Sequence, residues 1–269
     1  MKNLVTLLAV VTLFSAPALG QFNEPEMKQV IEPKNLYDEG FKKGLGFYFG
    51  LSDFGLGVGM QYRRVLSPYN EALLNIKIAG LRDPSEQTHI DYYFGNRTIA
   101  SKYRRVITFP VTVGFKHRLF AQTISDNFRV HTALNVGPSF AVTLPYFKDY
   151  NENGYREADY YTYYNSVEPI NDVFSGWKDA QSEFGWNGEI VLGIDFGDNF
   201  ARLQSFQFGY SFYYFKNGLQ ILEPYKPVIV NGSFVDFDGD GAIDFEAANA
   251  PVNYFGSAQI TFIIGWMWD

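Results

Sequence analysis

Residues 106–116 read VITFPVTVGFK. Ile107, Phe109, Val111, Val113 and Phe115 fall on one side of a period of two; Thr108, Pro110, Thr112, Gly114 and Lys116 fall on the other. Such alternation predicts a β-strand with one apolar and one polar face. The pattern returns in residues 128–142, where Phe128, Val130, Leu134, Val136 and Phe140 oppose Arg129, His131, Asn135 and Ser139. It returns again in 186–196, 205–215 and 259–268, and less sharply in 44–51, 55–65 and 71–81. Eight strands are therefore expected.

The connections alternate in length. Residues 67–70, 120–127 and 197–201 are turns, whereas 82–105, 145–183 and 220–252 are long, polar and rich in Tyr, Asp and Asn. Residues 52–54 form the one short link on the long-loop side. Short and long links in alternation predict an all-β, eight-stranded, antiparallel up-and-down transmembrane β-barrel with long extracellular loops. A soluble barrel or sandwich alternates too, but with its apolar face inward and a Lys- and Glu-rich exterior. Here the polar face is mostly Gly, Ser, Thr, Asn and Gln, which suits a narrow interior, and the apolar face carries bulky aromatics.

Residues 1–20 have the charged start, short apolar run and small-residue exit of a signal peptide. Residues 21–43 then form a periplasmic N-terminal segment and residues 44–269 the barrel. The chain has no Cys, which suits passage through an oxidising compartment. Its net charge of −7 becomes −8 when Lys2 leaves with the leader, which argues against a nucleic-acid partner.

Arg63, Lys77, Lys116, Arg129, Glu189 and Asp195 lie on the polar strand faces, so in a narrow barrel they must pair with one another. His131 is expected among them as a satisfied interior side chain. Pro110 and Pro138 sit within paired strands and predict local bulges. The Gly55-x-Gly57-x-Gly59 run makes room inside the barrel and lacks the spacing of a phosphate loop.

The last strand, QITFIIGWMWD over 259–269, looks like a C-terminal signal for barrel assembly, with Trp268 penultimate. With the strand and loop pattern of residues 44–269, the chain resembles the small outer-membrane β-barrel proteins of Gram-negative bacteria, of the porin-like or outer-membrane-protein-A transmembrane type without a peptidoglycan-binding domain. The resemblance implies the cell outer membrane as location, outer-membrane lipid around the barrel, and the barrel assembly machinery as a partner in biogenesis.

One motif carries metal chemistry. Asp236, Asp238 and Asp240 precede Gly241; the Ala242 carbonyl, Asp244 and Glu246 follow. Carboxylates at alternate positions converge on one cation while the chain turns at Gly, the start of an EF-hand-type Ca²⁺ loop. Position twelve is Ala247, and the acid, Glu246, stands one residue early. A weaker copy comprises Asp149, Asn151, Asn153, Tyr155, Glu157 and Asp159. Tyr160, Tyr161, Tyr163 and Tyr164 offer a recognition surface for a protein or glycan at the loops. No catalytic constellation stands out. These readings predict a structural or interaction role with Ca²⁺-ordered loops. The alternatives are an accessory subunit of an outer-membrane secretion or assembly complex, a narrow channel and, further off, a barrel enzyme.

Overall fold

Side chains that alternate in character can bury their polar half only if the sheet closes on itself, and this one does. The computed structural model describes residues 33–90, 97–156, 168–172, 175–235 and 243–269; the expected leader lies outside these. Eight long strands are present: β1 (Lys43–Ser52), β2 (Gly55–Ser67), β3 (Asn70–Leu81), β4 (Arg104–Arg118), β5 (Phe128–Pro145), β6 (Gln181–Phe196), β7 (Arg202–Leu219) and β8 (Val252–Trp268). Each pairs antiparallel with its neighbours in sequence, and β1 pairs with β8 to complete a closed barrel. The β1–β8 seam runs from Lys43 opposite Trp268 to Ser52 opposite Gln259.

The expected bulges at the two prolines do not form. Pro110 faces Ser139, and Val113 faces Val136 in the same register; Pro138 stays opposite Trp186. Pairing lapses between β4 and β5 only at the two intervening positions. Pro110 borders that one lapse and Pro138 lies within it, so the ladder loses its donors in one place and needs no extra residue to absorb them. The register shifts that do occur fall near strand ends, at Val65/Ser67 and Val252/Tyr254.

Every barrel strand presents its apolar face outward. Phe47, Ile76, Val113, Leu134, Ile190, Phe208 and Ile264 are exposed, while the intervening Tyr48, Lys77, Thr112, Asn135, Glu189, Gln207 and Thr261 are buried. This inverts the arrangement of a water-soluble barrel.

The interior mixes polar and apolar groups along its length. At the long-loop end Leu81, Val106, Ala141, Tyr213, Phe215, Leu219, Ile221 and Phe255 form a buried apolar layer. At the short-turn end Val65, Leu203, Ile263 and Met267 form another, against which Leu36 and Phe41 pack from the segment before β1. That segment folds back on itself, with the Phe41 N–H donating to the Leu36 carbonyl at 2.9 Å. It is tied down where the Arg118 guanidinium donates to the Lys34 carbonyl at 2.7 Å and to Asp126 at 2.8 Å. A barrel this narrow is filled by side chains, and residues near its mouths pack against plugs rather than against water.

The long connections carry short pairs of their own: Thr88–Ile90 with Arg97–Ile99, Tyr225–Pro227 with Phe245–Ala247, and Ile229–Val230 with Ser233–Phe234.

Candidate functional site: the polar lumen and the loop face

The inward parity of β3 and β6 brings Lys77 and Glu189 together across the lumen. The Lys77 ammonium donates to both Glu189 oxygens at 2.6 Å and lies 4.3 Å over the Tyr48 ring. Gly59, opposite Lys77 on β2, leaves space for it: a Cβ there would come within 2.4 Å of the Ile76 carbonyl. Glu189 also accepts from the Asn135 and Gln259 amides at 3.3 and 3.4 Å.

Nearer the short turns lies a second cluster. Arg63 donates to Asp195 at 3.2 Å, and Lys116 joins Asp195 to Glu71, the latter at 2.8 Å. A hydrogen-bonded path links the clusters. Arg63 Nε donates to Gln61 at 2.6 Å, Gln61 to Asn75 at 2.8 Å, and Asn75 to Asn135 at 3.2 Å. The interior charges therefore pair as expected, with two differences. Among the described residues Arg129 forms no close ion pair: its guanidinium donates to the Asp126 and Gly197 carbonyls, each at 2.7 Å, and rests 4.5 Å from the Phe200 ring, clamping two turns. Glu71 completes the cluster and was missed because, beside a turn, it reads as solvated. The inward spacing Glu71, Leu73, Asn75, Lys77 was the signal that could have found it.

His131 is fully buried, 3.3 Å from the Gln207 amide nitrogen and 3.7 Å from Asp195, an interior packing role as expected.

The chain matches no protein-family model and no curated protein sequence.

On the loop face, Asp236, Asp238, Asp240 and Ala242 lie outside the described residues, as do Glu157, Asp159 and the Tyr cluster at 160–164. The ends of the first motif are described. The Asp244 N–H donates to the Val235 carbonyl at 3.0 Å, and the Val228 N–H to the Asp244 carbonyl at 2.9 Å. Glu246 sits in the strand pair opposite Lys226 and bonds it at 3.0 Å. The motif is thus held at its stem as a closed excursion.

In the second motif Asp149 accepts from the Asn153 and Gly154 N–H groups at 3.2 and 2.9 Å. Asn153 accepts from the Tyr155 N–H at 2.8 Å, and Asn151 from the Asn153 N–H at 3.3 Å. One turn therefore gathers Asp149, Asn151 and Asn153. Tyr155 meets Phe245, ring centroids 5.7 Å apart, so the two motif loops touch. Among the described residues no group of three or more His, Asp or Glu side chains is placed to hold a metal ion.

A tie between loops was not foreseen. The buried Glu223 carboxylate accepts the Arg156 N–H at 3.1 Å, its own N–H donates to the Ser101 carbonyl at 2.8 Å, and its carbonyl accepts from Asn249 at 2.8 Å. One residue thus joins all three long loops. Burial pushes its carboxyl from 4.5 up to about 7, with the neighbouring Glu168 adding to the rise and the Arg156 N–H, the Ser101 hydroxyl and the Arg156 charge opposing it. Burial likewise pulls the nearby Lys102 ammonium below the usual amine range, against the pull of Glu86.

A raised folded-state pKa means that the folded loops hold the proton more tightly than the unfolded ones. This contribution is complete below pH 4.5 and is lost as pH rises through 7. Glu223→Gln keeps the neutral form at every pH. At pH 8 it is expected to slow amide exchange at residues 221–223 by about tenfold or more, since the rise from 4.5 to about 7 exceeds one pKa unit and each unit is worth about 1.4 kcal/mol. At pH 5 it should change little. Equal rates for variant and wild type at pH 8, after correction for intrinsic exchange, would show that Glu223 is not held protonated.

Proposed function

We propose that this protein is an outer-membrane β-barrel that holds its three long loops at the cell surface in a structural or interaction role, with Ca²⁺ ordering the two acidic loops. The observation that carries this reading is the inverted barrel wall: exposed aliphatic and aromatic side chains all round, and charged and amide side chains inside. In water such a wall would be a large apolar patch; in a bilayer it is the expected lipid face of a closed sheet. The filled lumen, with an apolar layer at each end, supports a display role over a conduit. The gathered oxygens of Asp149, Asn151 and Asn153 and the pinned stem of the 236–244 excursion support cation-ordered loops.

Single Cys substitutions test location and orientation together. Cys at Asp172 or Asn231 is expected to react with an impermeant maleimide on intact cells, while Cys at Asn70 or Asp198 is not. Labelling of the short-turn positions alone would reverse the orientation. Recovery of the protein in the soluble fraction would remove the membrane reading itself.

A further inference from the structure

The long-loop end holds a cleft of about 590 Å³ between the ends of β4, β5 and β6. Its volume lies in the range of small-ligand sites. Tyr103, Phe147 and Tyr150 line it with aromatic surface; Arg104, Asp179 and Gln181 line it with polar groups. The Tyr103 and Phe147 rings meet at 5.9 Å, and Tyr150 is 67 % exposed.

The wall stands ready-made. The buried Asn171 amide donates to the Pro145 and Phe147 carbonyls at 3.2 and 3.1 Å, fixing the chain just beyond β5. Arg105 donates to the Asn171 and Asp172 carbonyls at 2.8 and 2.9 Å and lies 4.8 Å over the Tyr146 ring. The Lys148 N–H closes on the Pro169 carbonyl at 3.1 Å. At the rim Glu152 takes a φ of +56° within the turn that Asp149 closes. A wall built this way loses little freedom when a ligand arrives.

The lining selects the ligand class. Two cations and three carboxylates line the cleft with two amides and three hydroxyls, so neither sign dominates, and one of the carboxylates, Asp149, already accepts two backbone N–H bonds. A polyanion would meet the carboxylates, and an acyl chain would strip water from all five charges at high cost. A neutral molecule with many hydroxyls can donate to the acids and accept from the bases while laying its C–H faces on the tyrosines. We propose that this cleft binds a neutral oligosaccharide two or three sugar rings long, with the exposed Tyr150 as the stacking surface and Asp179 and Gln181 as hydroxyl partners, while Arg104 covers a face of Tyr103. The proposal rests on reading the loop end as the ligand-facing end, although the cleft itself does not depend on which side of a membrane it faces.

The test uses the full barrel purified in mild detergent, applied to an array of neutral and acidic oligosaccharides; the strongest spot is then titrated by calorimetry. Neutral oligosaccharides are expected to bind, Tyr150→Ala to weaken binding tenfold or more, and Asp179→Asn to weaken it with the fold intact by gel mobility. Glycans released from the cell's own surface glycolipid and foreign glycans stand in separate arms. Binding in either supports the proposal and tells a self-contact from a captured ligand. An empty array, preference for acidic glycans, affinity untouched by both variants, or a protein as the only ligand captured would overturn it. Because the assay is run in detergent, a failed topology test and a failed binding test remain distinct results.

Discussion

Glu189→Ala is expected to destabilise the folded barrel by about 3–5 kcal/mol, the usual cost of leaving a buried charge without its partner. Glu189 accepts both short bonds from Lys77 and further bonds from Asn135 and Gln259, and it is buried. Removing it strands an ammonium whose side chain is only 5 % exposed and leaves two amides short of an acceptor. Replacing both charges, Lys77→Met with Glu189→Leu, removes the stranded charge. This double variant should recover more than half of the loss, the remainder reflecting the unpartnered amides. Urea unfolding in lipid vesicles, followed by Trp fluorescence and gel mobility, reads both variants. A Glu189→Ala barrel as stable as the wild type would mean that Lys77 reaches water. In planar bilayers the wild type should pass no steady current, because side chains fill the lumen, with apolar clusters around Phe215 and Phe255 toward one end and Leu203 and Met267 toward the other. A stable open current would contradict that packing.

Ca²⁺ is expected to protect residues 220–252 from protease about a hundredfold at a concentration of roughly 100 Kd, equivalent to about 2.7 kcal/mol. Bringing Asp236, Asp238 and Asp240 onto one point without a cation sets like charges against one another, and the ion removes that repulsion. Val235 and Asp244 are bonded backbone to backbone, so the two ends of the motif are held together before a cation arrives. Asp238→Ala with Asp240→Ala should abolish protection while the barrel keeps its folded gel mobility, because neither residue belongs to a barrel strand: both fall in the connection between β7 and β8. Identical digestion of wild type with Ca²⁺ and with chelator would make the run an ordinary acidic loop. Protection that survived the double substitution would assign the ion to the turn of Asp149, Asn151 and Asn153.

Legibility in the sequence follows the range of the interactions. Strand number, strand order and the side each residue faces were all readable, because a period of two is a local property and a wrong register would turn Ile190 inward and Glu189 outward together. The inward set Arg63, Lys77, Lys116, Glu189 and Asp195 was readable for the same reason, and so was its need to pair. Which partners meet was not: Lys77 and Glu189 are brought together only by closure of the β1–β8 seam and the relative stagger of strands far apart in sequence. Glu71 and Glu223 were missed on similar grounds, since each looks solvated in its local stretch and becomes buried only when other segments cover it. The prolines failed as predictors because their cost depends on what stands opposite, and here both fall at the same lapse. The sequence by itself thus determined an inside-out, eight-stranded alternating chain with three polar loops, since sterics and solvent act on each residue locally. Only the tertiary structure decided the ion-pair partners, the apolar layers at the two mouths, the tie at Glu223 and the cleft beside Tyr103, because each depends on distances between residues that the chain brings together only once the ring has closed.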